Sequence, residues 1–267
     1  MLFRRLFLCA LLVGLLTGLF DSAVQRWQVV PLILAAEVFE NAAEPPVTEH
    51  AHADGGAHSD ASEAWAPQDG LERTAYTVLA NVLNAVGAAL LLMPLLAWWN
   101  RHRGGQPLAL HQGYGASVRY GLLWGAAGWV CLFALPALGQ PPELPGMQAA
   151  PLQARQLWWT LTVVCGAGGL AVLCLVRAKW RVLGLGLLVL PFAVGAPQHA
   201  GSPFAGMEAD VALQMQQLVS RFVVATAVAS ALQWLVLGVL SALAVARWLS
   251  PLLNPVAAAT RLEGSSS

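Results

Sequence analysis

Six apolar runs leave this chain few ways to fold: Leu6 to Phe20, Thr74 to Trp99, Tyr120 to Leu138, Leu157 to Val176, Val182 to Val194 and Phe222 to Leu249. A soluble domain of 267 residues has no interior for so much apolar surface, with 57% of its residues hydrophobic, 10% charged and a mean hydropathy of +0.61. Lipid offers no partner to an open backbone, so each run must bond within itself as a helix. The expected fold is an all-α, polytopic integral membrane helix bundle of about six (five to six) transmembrane helices. Residues 1–250 form a single transmembrane domain into which an outer loop, 41–72, is inserted. Residues 251–267 form a C-terminal tail, and its end, Glu263 to Ser267, reads as a cloning remnant.

One run differs from the others. Val182 to Val194 has 13 residues, which as a helix cover roughly 20 Å of a hydrocarbon layer about 30 Å thick. It is broken by Pro191 and runs into Gly195-Ala196-Pro197-Gln198-His199. Short or Pro/Gly-interrupted segments mark ion sites in membrane proteins, because irregular backbone is tolerated at depth only beside a protein-lined cavity. A helix that ends near Pro191 and turns at the interface explains the same residues.

The first run, preceded by Arg4 and Arg5, has the n- and h-regions of a signal peptide. No small-residue cleavage pattern follows at Asp21 to Gln25, so it is expected to remain as the first helix. Trp27 to Glu40 is amphipathic, with Glu37 and Glu40 three apart and hence on one helix face. With the N-terminus cytoplasmic and six crossings, ten Lys and Arg fall inside and four outside, as the positive-inside rule asks. The same partition places 13 of 14 carboxylates outside, leaving Glu263 within. That asymmetry suits an outer face that attracts cations, and equally an ordinary solvated loop. The localisation expected is a bacterial inner (cytoplasmic) membrane.

Histidines enter in the outer loop, where His50, His52 and His58 lie among Glu49, Asp54 and Asp60. Imidazole and carboxylate together suit borderline divalent ions such as Co²⁺, Ni²⁺ or Zn²⁺, and the spacing fits capture and release rather than a rigid structural site. The loop is too polar to fold alone. Cys9, Cys131, Cys165 and Cys174 form no C-x-x-C pair and read as small apolar residues. Gly14/Gly18, Gly121/Gly125 and Gly184/Gly186 suggest close helix packing. Asn81 and Asn84 face either a neighbouring helix or a permeation path. Met147 and Met207 could each add a thioether ligand or be ordinary packing residues.

No phosphate loop, H-E-x-x-H or G-x-S-x-G sequence occurs, so nucleotide hydrolysis and the familiar hydrolase chemistries find no support. Neutral net charge gives no reason to expect nucleic acid. Energy for transport would come from an ion gradient or another protein.

Over about residues 1–250 the chain resembles the CbtA family of cobalt transporter subunits. The likeness is carried by the Arg-Arg leader with its Gly-spaced helix, PLILAAEVFE at 31–40, the acidic, His-containing outer loop, PPELPG at 141–146, QLWW at 156–159 and LPFAVGAPQH at 190–199. The resemblance implies five spanning helices and cobalt uptake linked to cobalamin synthesis. It also implies a small single-helix, His-containing partner (CbtB), no permanent cofactor, and Co²⁺ as cargo. Carried over by position, Glu37, Glu40, Glu143 and His199 are the candidate metal ligands, with His50, His52 and His58 as collectors. A non-transporting scaffold or sensor, and an intramembrane enzyme, are the alternative readings.

Overall fold

The computed structural model describes residues 2–43, 67–68, 70–102 and 114–253, and among these there is no strand. Helix α1 spans Leu2–Gln28, turns at Val29, and continues as α2, Val30–Ala43. Pro31 sits in the first turn of α2, where its missing N–H costs nothing. Helix α3 is Leu71–His102, and α4, Tyr114–Trp129, runs through a π turn, Val130–Ala134, into α5, Leu135–Gly139. Helix α6 is Leu152–Leu175; after a 3₁₀ turn, Ala178–Trp180, comes α7, Arg181–Val194. The last helix, α8, Ala209–Ala244, passes through a second π turn, Val245–Leu249, into α9, Ser250–Leu253.

The two π turns share a cause. Each ends two residues before a proline, Pro136 or Pro251. Proline has no N–H to give its fourth-back carbonyl and its ring collides with that group, and one widened turn relieves both. Thus Tyr114–Gly139 and Ala209–Leu253 each act as one long span. Five helices are long and apolar enough to cross a membrane, and the fourteen-residue α7 is not among them.

Close approaches fix the helix directions. A Cβ on Gly14 would lie 2.5 Å from Val86 Cα, and Gly18 meets Val82, so α1 and α3 are antiparallel. Gly121 faces Gly238 and Val239 while Gly125 faces Trp234 and Leu235, so α4 and α8 are antiparallel as well. Gly166 meets Cys131 and Leu135 while Gly139 meets Trp158, which sets α6 against α4–α5 in the same sense. Helices α6 and α8 therefore both run opposite to α4, and the chain must return to the far end of the bundle between Leu175 and Ala209.

Helix α7 makes that return. It lies antiparallel to α6, with Gly184 against Gly169 near one end and the Trp158 indole N–H donating to the Pro191 carbonyl at 3.0 Å near the other. Its length covers roughly 20 Å, and Gly195 to Glu208 completes the path. The long helices number five, and α7 supplies the sixth passage. Of the small-residue pairs, Gly186 has no close neighbour: it faces open space while Gly184 carries the contact.

The resulting order across the bundle is α3, α1, α8, α4–α5, α6, α7. One apolar core, around Val13, Met93, Leu96, Leu237, Val245 and Leu249, joins α1, α3 and α8. Asn100, fully buried, donates to Ser250 Oγ at 2.9 Å and ties the end of α3 to α9. Arg4, Arg5, Arg101, Arg119, Lys179, Arg181 and Arg247 fall at one end by these directions. Glu37, Glu72, Glu143 and Glu208 fall at the other, which is the charge separation expected from the sequence.

Candidate functional site

Two of the three segments expected to carry ligands come together at the acidic end, beside the connection that carries the third. Helix α2, the 140–151 connection and the 195–208 connection meet the first turns of α8 around a second apolar cluster: Val29, Ala36, Leu144, Met215 and Phe222, with Met147, Phe204 and Met207 packed on it. The Gln148 N–H donates to the Pro203 carbonyl at 3.0 Å, and a Cβ on Gly139 would lie 3.0 Å from Ala196 Cβ. PLILAAEVFE and PPELPG thus share one cap with Phe204 and Met207 of the 195–208 connection, while GAPQH touches the end of α5 through Ala196. Met147 and Met207 belong to its apolar interior, and the Met147 sulfur accepts the Leu144 N–H at 3.4 Å. They are packing residues in this arrangement.

The ligand atoms themselves are dispersed. Glu37, half-buried on α2, is bridged by Arg73 of α3: Nη1 donates to Oε2 at 3.0 Å and Nη2 to Oε1. Glu143 Oε2 is 2.8 Å from Arg155 Nη2 at the start of α6. His199 is half-buried in the 195–208 connection and has no hydrogen-bond or ion-pair partner among the described residues. The backbone of Glu40 continues α2, and its side chain lies outside the described residues, as do His50, His52 and His58. No group of three or more His, Cys, Asp or Glu side chains gathers among the described residues.

Both arginines border cavities. One of about 260 Å³, between α1, α2 and α3, is lined by Ser22, Arg26, Leu34, Arg73 and Thr77. Another of about 470 Å³, beside Glu143, is lined by Gln140, Arg155, Gln156, Trp159 and Thr160. Each carboxylate–guanidinium pair is about one-third exposed or less on the acid side and one-third on the arginine side. At that exposure a pair contributes at most about 1 kcal/mol and can be exchanged for another cation.

Below the first cavity lies a polar layer. Asn81 Nδ2 donates to Ser22 Oγ and to Gln25 Oε1, both at 3.2 Å, joining α3 to α1. Gln25 Nε2 in turn donates to Asp21 Oδ2 at 2.9 Å. Asn81 is thus a link between helices, while Asn84 is exposed. Asp21, which sequence reasoning did not single out, is 2% exposed. The available signal was its spacing: Thr17, Asp21 and Gln25 recur every fourth residue on the face of α1 that also buries Val13.

A bundle of long apolar helices, closed at one end by an acidic cap and at the other by arginines and lysine, defines a polytopic helical membrane protein. A family model described as a probable cobalt transporter subunit (CbtA) matches residues 3–246. The chain belongs to that family. No curated protein and no solved structure matches it.

Proposed function

We propose that the chain is the membrane-embedded permease subunit of a Co²⁺ uptake system that feeds cobalamin synthesis, with Ni²⁺ or Zn²⁺ as the competing ions. The observation that carries this reading is the acidic cap in a cobalt-transporter family member, where PLILAAEVFE and PPELPG meet beside the 195–208 connection. In the proposal the His50, His52 and His58 loop collects ions. Glu37 and Glu143 take the ion as Arg73 and Arg155 swing away, Glu40 completes the oxygen set, and His199 provides the nitrogen that favours a borderline ion over Mg²⁺ or Ca²⁺. The cap faces outward and the arginine-rich end faces the cytoplasm of a bacterial inner membrane, which supplies the lipid around α7. A small His-containing, single-helix subunit of the CbtB type is the expected partner. No resident cofactor, catalysis or nucleic acid enters the reading.

A second reading, a non-transporting scaffold or sensor that holds such a partner, is favoured by the dispersal of the candidate ligands. Metal accumulation decides between them. A deletion strain carrying the wild-type chain and its partner should accumulate Co²⁺, measured beside Ni²⁺ and Zn²⁺, and His199→Gln should lose the preference for Co²⁺ first. Unchanged metal content on deletion removes the permease reading. Wild-type preference in a well-expressed His199→Gln protein removes His199 from the site.

A further inference from the structure

Asp21 is the one carboxylate enclosed by the described bundle, and its surroundings are incomplete. Its Oδ2 accepts from Gln25, and its Oδ1 has no partner among the described residues. One turn deeper on the same face, Thr17 Oγ1 is fully buried and also without a partner. Asn81 donates to Ser22, which lines the cavity of about 260 Å³, and to Gln25, which donates to Asp21 Oδ2, so a bonded series ties the other oxygen of this carboxylate to the cavity wall. A buried carboxylate with one oxygen unbonded and no cationic partner is costly to keep in a membrane bundle and marks an ion or proton path.

The charge balance selects the occupant. Helices α2, α3 and α8 pack against α1. At the level of the cap their described charged side chains are Glu37 on α2, Glu72 and Arg73 on α3, and Asp210 and Arg221 on α8. Arg73 bridges Glu37, and Arg221 is exposed. Tyr76 is half-exposed on α3, and Arg26, on α1 itself, lines the cavity. Arg4, Arg5, Arg101, His102 and Arg247 stand at the opposite end. The only side chain bonded to Asp21 among the described residues is therefore the neutral Gln25. A divalent ion at a single carboxylate would leave a positive charge in the bundle, and a monovalent metal ion needs five or six oxygens where the described residues offer Oδ1 and one hydroxyl. A proton needs one oxygen and cancels the charge.

We infer that Asp21 is the membrane-embedded proton-binding site, and that it takes a proton on Oδ1 from water on the outer side and gives it up to water on the inner side as the transported ion moves inward. The coupling to metal rests on the transport reading above, whereas the proton site does not. Two measurements on the full-length protein in proteoliposomes separate them. In infrared spectra recorded as pH is changed, the C=O stretch of a protonated carboxyl should be lost in Asp21→Asn and should reappear, shifted, in Asp21→Glu. For transport, making the lumen alkaline at constant outer pH should drive Co²⁺ accumulation by wild type. Asp21→Asn should lose roughly tenfold of that drive, a coupling of ordinary allosteric size, while exchanging Co²⁺ without a gradient as wild type does. No titrating band assignable to position 21 in the folded wild-type and Asp21→Glu proteins overturns the proton site. Gradient-driven accumulation that persists in Asp21→Asn, or loss of gradient-free exchange along with it, overturns the coupling. A titrating band with no Co²⁺ movement in wild type leaves the proton site standing and removes the transport reading instead.

Discussion

Replacing Gly184 and Gly186 by leucine, one at a time, tests whether α7 is docked on α6 as a passage across the bundle. Both positions lie in the same helix, two residues apart, so each variant gains the same intrinsic helix propensity, about 0.8 kcal/mol relative to glycine. The difference between them isolates packing. At Gly184 a Cβ would stand 2.9 Å from the Gly169 carbonyl oxygen and 2.9 Å from Leu173 Cγ, whereas at Gly186 nothing lies within 4 Å. The first obstacle is backbone and cannot rotate away, so overpacking there should cost roughly 1–3 kcal/mol. Thermal unfolding in detergent, followed by the fraction that remains monodisperse, should place Gly184→Leu below Gly186→Leu by about 2–4 °C per kcal/mol. Gly186→Leu should match or exceed wild type. Equal midpoints would refute the α6–α7 contact, and with it the argument that the chain returns through α7.

Topology reporters fused after residues 60, 110, 147, 179, 205 and 258 should read outside, inside, outside, inside, outside and inside. A reading at 205 that matches 179 would remove α7 as a crossing. Arg73→Gln should cost no more than about 1 kcal/mol, because the pair with Glu37 is partly exposed. If Glu37 binds the ion, the same change should lower the half-saturating Co²⁺ concentration by removing the competing guanidinium, and an unchanged value would count against Glu37. Asn100→Ala should lower thermal stability by about 1–3 kcal/mol, since it strips a buried partner from Ser250. Deleting residues 48–62 should weaken uptake mainly at low Co²⁺, because a ligand-bearing loop raises local concentration without supplying preformed geometry. Complete loss at saturating metal would show that the loop holds the site itself.

The helices were legible because lipid makes their cause local: a long apolar run has no other way to satisfy its backbone. Their ends were less legible. Leu6 to Phe20 marks the apolar part of α1, yet the helix continues to Gln28 because Asp21, Ser22 and Gln25 find partners within the bundle or across to Asn81. The π turns before Pro136 and Pro251 follow from a rule readable in the sequence, but Pro94 and Pro191 obey the same steric constraint inside helices without a π turn. Neighbouring packing, which the sequence does not display, decides which relief is taken. The count of crossings needed both kinds of information. Length and hydropathy yield five spans, and only the antiparallel contacts at Gly169, Gly139 and Gly125 require a sixth passage.

The candidate ligands show the same division at finer scale. Motif recognition selected three segments far apart in the chain, and folding packs two of them, PLILAAEVFE and PPELPG, into one cap with Phe204 and Met207 of the connection that carries the third. It did not reveal that Glu37 and Glu143 each hold an arginine, because Arg73 and Arg155 lie in different helices and no spacing rule relates them to the acids. Nor did it find Asp21, whose neighbours along the chain look like an ordinary helix exit. These two oversights bear on each other. Carboxylates at the rim that already carry arginines can accept a cation only by displacing them, which makes capture reversible and weak. A buried carboxylate without a cationic partner has the opposite character, since its charge is uncompensated until something positive arrives. A carrier needs both: an exchangeable outer site that releases its ion, and an inner group whose neutralisation distinguishes one state of the bundle from another. In this chain Arg73, which bridges Glu37, and Ser22, which follows Asp21 on α1, line one small cavity. Three hydrogen bonds, from Asn81 to Ser22 and to Gln25 and from Gln25 to Asp21, therefore tie the wall of that cavity to the buried carboxylate.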